Sequence, residues 1–294
     1  LEIGTNHFGE AGYLAGICEP NIGIITNIGP SHLEHFGTIA GVLREKYNVV
    51  KGLKNPRICI LNSDDGLLKS KIAAKGGKTF VLSFGINNGG DFSASDIISL
   101  RGSHSFYVNK KYKFTLNTPG YYNIYNALAA ITAGRVFGIP HKHIASRLKT
   151  FDFPQGRLKI RVLRGIRFID DTYNSNPLSL EQALDAFTRI PVKGKKVFVM
   201  GDMLELGRDS QKFHYEAGRR AAQCCDVFIT VGPLSRMAAK AAEDAYFDRG
   251  RIFSCDTSDN ARDIIFSRLS LGKGDFVLVK GSRSMKMENI FPGK

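Results

Sequence analysis

Residues 168–180 read FIDDTYNSNPLSL. Phe168 and Ile169 close an apolar strand, Asp170 to Asn176 are mostly polar, and LEQALDAF (180–187) places apolar residues at helical spacing. A plain strand-to-helix connection needs one N-cap and sometimes a glycine. Here polar side chains crowd the carboxyl end of a strand, which is where open α/β sheets hold their ligands.

Working outward, the same strand–helix alternation continues. RLKIRVL (157–163) and IRFID (166–170) predict a hairpin ahead of the quoted turn. KKVFVM (195–200), DVFITV (226–231), RIFSC (251–255) and DFVLVK (275–280) predict strands. Helical patterns near 211–223, 234–247 and 260–269 separate them, the signature of a parallel sheet covered by helices.

The first half also alternates. NIGIITNI (21–28), RICILN (57–62) and TFVLSF (79–84) predict strands, with helical patterns over 38–50 and from Asp65. From 91 to 116 the pattern is short β segments about a turn at Asn109–Lys110–Lys111, which predicts an antiparallel ribbon. A helix is expected after Pro119–Gly120 and a second over 142–149. Pro154–Gln155–Gly156 is the linker candidate, so two α/β domains are expected, 1–153 and 154–294. LEIGTN (1–6) reads as the end of a buried strand with nothing before it, so a piece lacking the start of its first domain is expected.

Composition excludes several classes. The 294 residues are 43% hydrophobic and 23% charged, as in an ordinary globular protein. Nothing approaches the roughly 18–20 apolar residues of a membrane span, and no signal peptide opens the chain. The net charge of +14 is scattered, with only short clusters such as KGKK (193–196), which argues for an anionic small substrate or a solvated surface over nucleic acid. The five cysteines form no CxxC pair, the usage of a reducing cytoplasm, and the seven histidines have no zinc-site spacing.

Five polar strand ends remain: 2–6, 27–32, 170–176, 201–205 and 280–283. Glu2 inside an apolar strand end would be costly without a cation, and a hard oxygen ligand suits magnesium with bound phosphates. His32, in TNIGPSHLEHFG (26–37), reads by itself as a surface or hydrogen-bonding histidine more readily than as a ligand, and Lys46 alone reads as a solvated lysine. No GxxxxGK[ST] or GxGxxG loop occurs. Arg157, in GRL (156–158), reads as a phosphate or ribose contact or as an exposed linker residue.

Taken together, TNIGPSHLEHFG, GRL, DDTYNSNP (170–177), GDMLELG (201–207) and KGSRSMKMEN (280–289) resemble the Mur ligase family along the whole chain. The fold this implies is the back part of a central α/β ATPase domain followed by a Rossmann-like domain with a mostly parallel sheet. Within the family, DDTYNSNP and GDMLELG resemble the member that adds D-alanyl-D-alanine to UDP-N-acetylmuramoyl-tripeptide through an acyl phosphate. The relative that adds the third amino acid carries a D-Y-A-H type sequence where this chain has Asp171–Asn174.

The resemblance implies ATP and Mg2+ as cofactors, a bacterial cytoplasmic enzyme of peptidoglycan synthesis, and a monomer with no nucleic-acid partner. Glu2 and His32 would hold magnesium, and Lys46 matches a lysine that is carbamylated in the family and serves the metal site. Asn123 (in PGYYN, 119–123) would read adenine, Arg157 would contact the nucleotide and Asp171 the ribose. Tyr173, Asn174, Asn176 and Arg283 would face the substrates. Two departures stand out: Tyr122 where the family usually has His, and Tyr47–Asn48 where it commonly has Gly-Glu. The alternatives are another Mur-type or folylpolyglutamate-type amide ligase, or a non-catalytic nucleotide-binding remnant. Without a phosphate loop, the chain by itself is expected to be inactive.

Overall fold

A computed structural model describes residues 1–73, 78–100 and 102–291. The chain divides into two compact units, Leu1–Phe151 and Asp152–Lys294.

The first unit runs α1 (Glu10–Cys18), β1 (Ile22–Ile25), α2 (Leu33–Phe36), α3 (Ile39–Lys46), α4 (Asn48–Lys51), β2 (Ile58–Asn62), α5 (Gly66–Ala73) and β3 (Phe80–Gly85). The expected ribbon follows as β4 (Phe92–Leu100), β5 (Ser103–Val108) and β6 (Tyr112–Leu116), and α6 (Asn123–Val136) and α7 (His141–Lys149) close the unit. The strands form one sheet in order β1-β2-β3-β4-β5-β6. Pairing is parallel from β1 to β4 and antiparallel from β4 to β6. Asn109 and Lys110 both adopt left-handed backbone (φ 51° and 57°), the geometry that a tight hairpin requires. Phe84, Phe106, Phe114 and Leu128 are buried in the core this sheet shares with α6.

The second unit runs β7 (Lys159–Leu163), β8 (Ile166–Asp171), α8 (Pro177–Arg189), β9 (Lys196–Gly201), α9 (Ser210–Ala221), β10 (Val227–Val231), α10 (Arg236–Asp244), β11 (Ile252–Cys255), α11 (Ser258–Asp263) and β12 (Phe276–Lys280). Its sheet order is β11-β10-β9-β12-β8-β7, parallel throughout except for the β7–β8 hairpin. The last strand therefore inserts between the second and third strands of the unit. Every residue of β10 and of β12 is buried, which is why these strands read as continuous apolar runs without alternation. Val199, Ile229 and Val277 are fully buried in this core.

Three local expectations differ from the structure. Residues 1–6 are not a strand, and Glu2 is exposed instead of being embedded in a sheet; among the described residues no strand pairs with them, so nothing forces the extended form. The helix expected over 38–50 breaks at Tyr47 into α3 and α4. The helix expected over 260–269 is α11 followed by one π turn, in which Leu269 N–H donates to the Ile264 carbonyl at 2.9 Å.

Candidate functional site

In the second unit three sequence motifs meet at the carboxyl ends of β8, β9 and β12. Lys280 Nζ lies 2.6 Å from Asp171 Oδ2 and donates to the Asn174 carbonyl at 2.9 Å. Ser282 donates its N–H to the Asp202 carbonyl at 3.0 Å. Its hydroxyl accepts from Leu204 N–H at 2.9 Å and donates to the Ser175 carbonyl at 3.4 Å. The DDTYNSNP, GDMLELG and KGSRS segments thus hold one another, although they lie far apart in sequence. Gly201 and Gly281 allow this approach: a Cβ on Gly281 would stand 3.0 Å from Gly201 Cα and 2.7 Å from Met287 Cγ.

Asp171 is buried, and both its oxygens are engaged, since Oδ1 accepts from Leu158 N–H at 3.2 Å. Asp170 is buried as well; it pairs with Arg161 at 2.7 Å and accepts from the Thr172 hydroxyl at 2.7 Å. The GRL segment packs directly on the turn. Tyr173 N–H donates to the Gly156 carbonyl at 3.0 Å, and the Arg157 guanidinium lies 3.9 Å from the Tyr173 ring centroid. Gly156 has φ 74°, and a Cβ there would stand 2.9 Å from Tyr173 N, so glycine is required. Asn176 is the N-cap of α8: its side chain accepts from Ser179 N–H at 2.8 Å, and Ser179 Oγ accepts from Asn176 N–H at 3.1 Å. Such a cap contributes about 1 kcal/mol.

The carboxamide oxygen of Asn174 accepts from Ser175 N–H at 2.8 Å, and Arg283 pairs with Glu288 at 3.0 Å. Tyr173 remains nearly half exposed. Ser175 Oγ is buried without a hydrogen-bond partner among the described residues, and an orphaned polar atom in such a turn marks a position for a ligand or water atom.

Two further residues shape this site through contacts that the motifs do not announce. Asp202 accepts from Ser235 N–H at 2.7 Å and Leu234 N–H at 3.3 Å, joining the end of β9 to the start of α10. His214 is buried; Nε2 accepts from Met203 N–H at 3.0 Å while Nδ1–H donates to the Ser210 carbonyl at 2.7 Å. Burial lowers its pKa, against the opposing pull of the Ser210 carbonyl and the Asp202 charge.

In the first unit, Glu2 and Lys46 line one cavity of about 750 Å3, along with Thr26, Asn27 and the length of β1. Burial lowers the Lys46 pKa, and the nearby Glu2 charge partly offsets this. His32 stands at the head of α2, with left-handed backbone (φ 51°) and its ring edge-on to Phe36 at 6.2 Å, and is not part of that cavity's wall. Asn123 is buried at the start of α6; it donates to the Pro119 carbonyl at 3.0 Å and accepts from Asn126 at 3.0 Å.

The end of β2 carries a further cluster. Asp64 accepts from the N–H groups of Ile86, Asn87 and Asn88 (2.6–2.9 Å) and from the Tyr125 hydroxyl (2.9 Å). Burial pushes the Asp64 carboxyl up, but those donors outweigh it and hold the pKa below its ordinary value.

Among the described residues, no group of three or more His, Cys, Asp or Glu side chains could hold a metal ion. The oxygens beside Glu2 therefore fit magnesium only as that ion commonly binds in nucleotide sites, by one or two carboxylates with phosphates completing the shell. Unmodified Lys46 is a poor neighbour for a cation. Burial, however, raises the share of its neutral amine, the form that combines with carbon dioxide.

Comparison with known proteins gives concordant matches. Residues 1–134 match the Mur ligase middle domain, and residues 156–283 match the Mur ligase, glutamate ligase domain. The UDP-N-acetylmuramoyl-tripeptide–D-alanyl-D-alanine ligase of Bacillus subtilis is 31% identical over 99% of the chain, which spans 62% of that relative's length. The crystal structure of MurF from Acinetobacter baumannii superposes with a TM-score of 0.85 at 29% identity, covering 99% of this chain and 63% of that one. MurF from Thermotoga maritima, crystallised in complex with ADP, superposes at 0.83 with 26% identity, covering 99% and 65%.

Proposed function

The chain belongs to the Mur ligase family, and from that membership we propose that it serves an ADP-forming ligase that joins D-alanyl-D-alanine to UDP-N-acetylmuramoyl-tripeptide. The observation that carries the proposal is the 31% identity over 99% of the chain to the Bacillus ligase of that name. The motifs that distinguish this member, DDTYNSNP and GDMLELG, are the ones that lock together around Lys280 and Ser282.

In this reaction ATP phosphorylates the tripeptide carboxylate. The dipeptide amine then attacks the acyl phosphate, and the tetrahedral intermediate collapses to amide and phosphate. The demands on the protein are neutralising phosphate charge and aligning the reactants. Glu2, with carbamylated Lys46, would hold magnesium, which would supply positive charge to offset that of the phosphates; His32 is the further ligand candidate. Asn123 would orient adenine, and Arg157 and Asp171 would contact the nucleotide. Arg157 is preset for this by its stack on Tyr173, and Asp171 by Lys280 and the Leu158 amide. Tyr173, Asn174, Asn176 and Arg283 would border the substrates, with Asn176 acting through the α8 cap that shapes the turn.

No helix among the described residues is long and apolar enough to cross a membrane, which is compatible with action in the bacterial cytoplasm.

The test is ADP release by the purified natural polypeptide containing these 294 residues, given the tripeptide nucleotide and a panel of amines: D-alanyl-D-alanine, meso-diaminopimelate, L-lysine and L-glutamate. D-alanyl-D-alanine is expected to exceed the others by about a hundredfold or more in kcat/KM, because a site built to bond a given polar group strongly rejects amines lacking it. Equal rates across the panel would overturn the assignment.

A further inference from the structure

Glu45 is fully buried, on the last turn of α3 beside Lys46. Its carboxylate gathers donors from separate parts of the chain. Oε1 accepts from Ala11 N–H at 2.7 Å and lies 3.3 Å from the Thr5 hydroxyl. Oε2 accepts from Gly9 N–H at 2.8 Å and from Asn48 Nδ2 at 3.2 Å. A buried carboxylate is tolerable only with such partners, and here two of them are backbone N–H groups at the positive end of α1.

The usual N-cap of α1 is missing. That position is Gly9, at φ 96°, and it makes no side-chain cap. A local Ser, Asp or Asn would satisfy the helix without reference to any other element. Capping from Glu45 instead makes the position of α1 depend on that of α3. The loop leading into α1 is pinned at its other end by Glu10, which accepts from Asn6 N–H (2.6 Å) and His7 N–H (2.9 Å); these bonds, His7's first, hold its carboxyl at about 2. Thr5 is three residues from Glu2, and Glu45 is one residue from Lys46. The clamp therefore spans the two segments that deliver Glu2 and Lys46 to the shared cavity.

We propose that Glu45 is the positioning residue for the Glu2–Lys46 pair: by capping α1 from α3, it fixes the segment bearing Glu2 against the helix end bearing Lys46. The inference rests on the ligase function proposed above for its catalytic consequence, but not for the clamp itself. Asn48 lies within hydrogen-bond distance of the same carboxylate, so Asn48→Glu introduces a carboxylate into the same cluster.

The test uses Glu45→Gln and the double variant Glu45→Gln/Asn48→Glu. In the folded chain, hydrogen exchange of the Gly9 and Ala11 amides is expected to quicken about tenfold or more in Glu45→Gln, and to recover in the double variant. In the natural polypeptide, the Mg2+ concentration giving half-maximal ADP release should rise about fivefold or more in Glu45→Gln, with the KM for the dipeptide unchanged and recovery in the double variant. A merely structural defect would lower kcat through the fraction of folded enzyme and leave the Mg2+ requirement alone. Unchanged amide exchange in Glu45→Gln overturns the clamp, and quickened exchange with an unchanged Mg2+ requirement overturns the positioning role. A parent polypeptide that releases no ADP defeats the ligase assignment alone, since the exchange measurement still decides the clamp.

Discussion

Lys280 Nζ and Asp171 Oδ2 form a buried ion pair at 2.6 Å across 109 residues of sequence. The pair joins the ends of β12 and β8, and the same ammonium also holds the Asn174 carbonyl. A buried pair of this kind is weak evidence for net stability, but removing one partner strands the other charge.

Lys280→Ala should therefore destabilise the fold by about 3–5 kcal/mol. Lys280→Met/Asp171→Leu, which removes both charges, should recover much of that loss. Urea titrations of the three proteins measure both effects. A single variant as stable as the parent would show that the Asp171 carboxylate has another way to be satisfied.

Asp171→Ala should weaken ATP binding about ten- to a hundredfold, the loss of roughly 1–3 kcal/mol in hydrogen bonds to the ribose. Calorimetric titration of the natural polypeptide with ATP gives the affinity. Comparison with Lys280→Ala separates the causes: if the two variants lose affinity equally, Asp171 acts by holding the turn and not by touching the nucleotide.

Lys46→Ala should abolish most turnover in the natural polypeptide, with partial rescue by added short carboxylates, because the proposed carbamate supplies negative charge beside the metal. Steady-state ADP release with and without acetate reads both effects. Activity within a few-fold of the parent removes Lys46 from the mechanism.

His214 predicts a pH dependence. Its folded pKa lies below the ordinary 6.5 because of burial, so the unfolded chain binds the proton more readily. Its contribution is fully present above about pH 6.5 and is lost as pH falls from there toward the depressed folded value. Protonation also destroys the acceptor that holds Met203 N–H. Unfolding free energy measured between pH 7.5 and 5 should decline for the parent, with a shallower decline for His214→Gln over the same range. Parallel curves would show that this imidazole titrates normally.

Much of the architecture was legible because its causes are local. The apolar runs of β9, β10 and β12 announce strands buried on both faces, and LEQALDAF (180–187) announces α8, although its start at Pro177 and its cap at Asn176 emerged only in the structure. Residues 1–6 misled for the same reason: LEIGTN has strand composition, but a strand needs a neighbour, and no described strand pairs with it. The break at Tyr47 was likewise invisible, since no proline or glycine stands between 42 and 51.

For the candidate site, the sequence by itself determined which residue types gather at strand ends, through the polar interruptions in apolar runs and the motifs that mark the family. It could not say what those residues bond to. The insertion of β12 between β8 and β9 delivers Lys280 to Asp171 and Ser282 to Ser175. The packing of α3 on α1 turns Glu45, outwardly an ordinary helix carboxylate, into a buried cap for Gly9 and Ala11. Periodicities of 2 and 3.6 residues report only which face of an element is apolar. Which elements then meet depends on register, burial and the satisfaction of polar groups across long stretches of chain, and those terms come into being only when the chain folds.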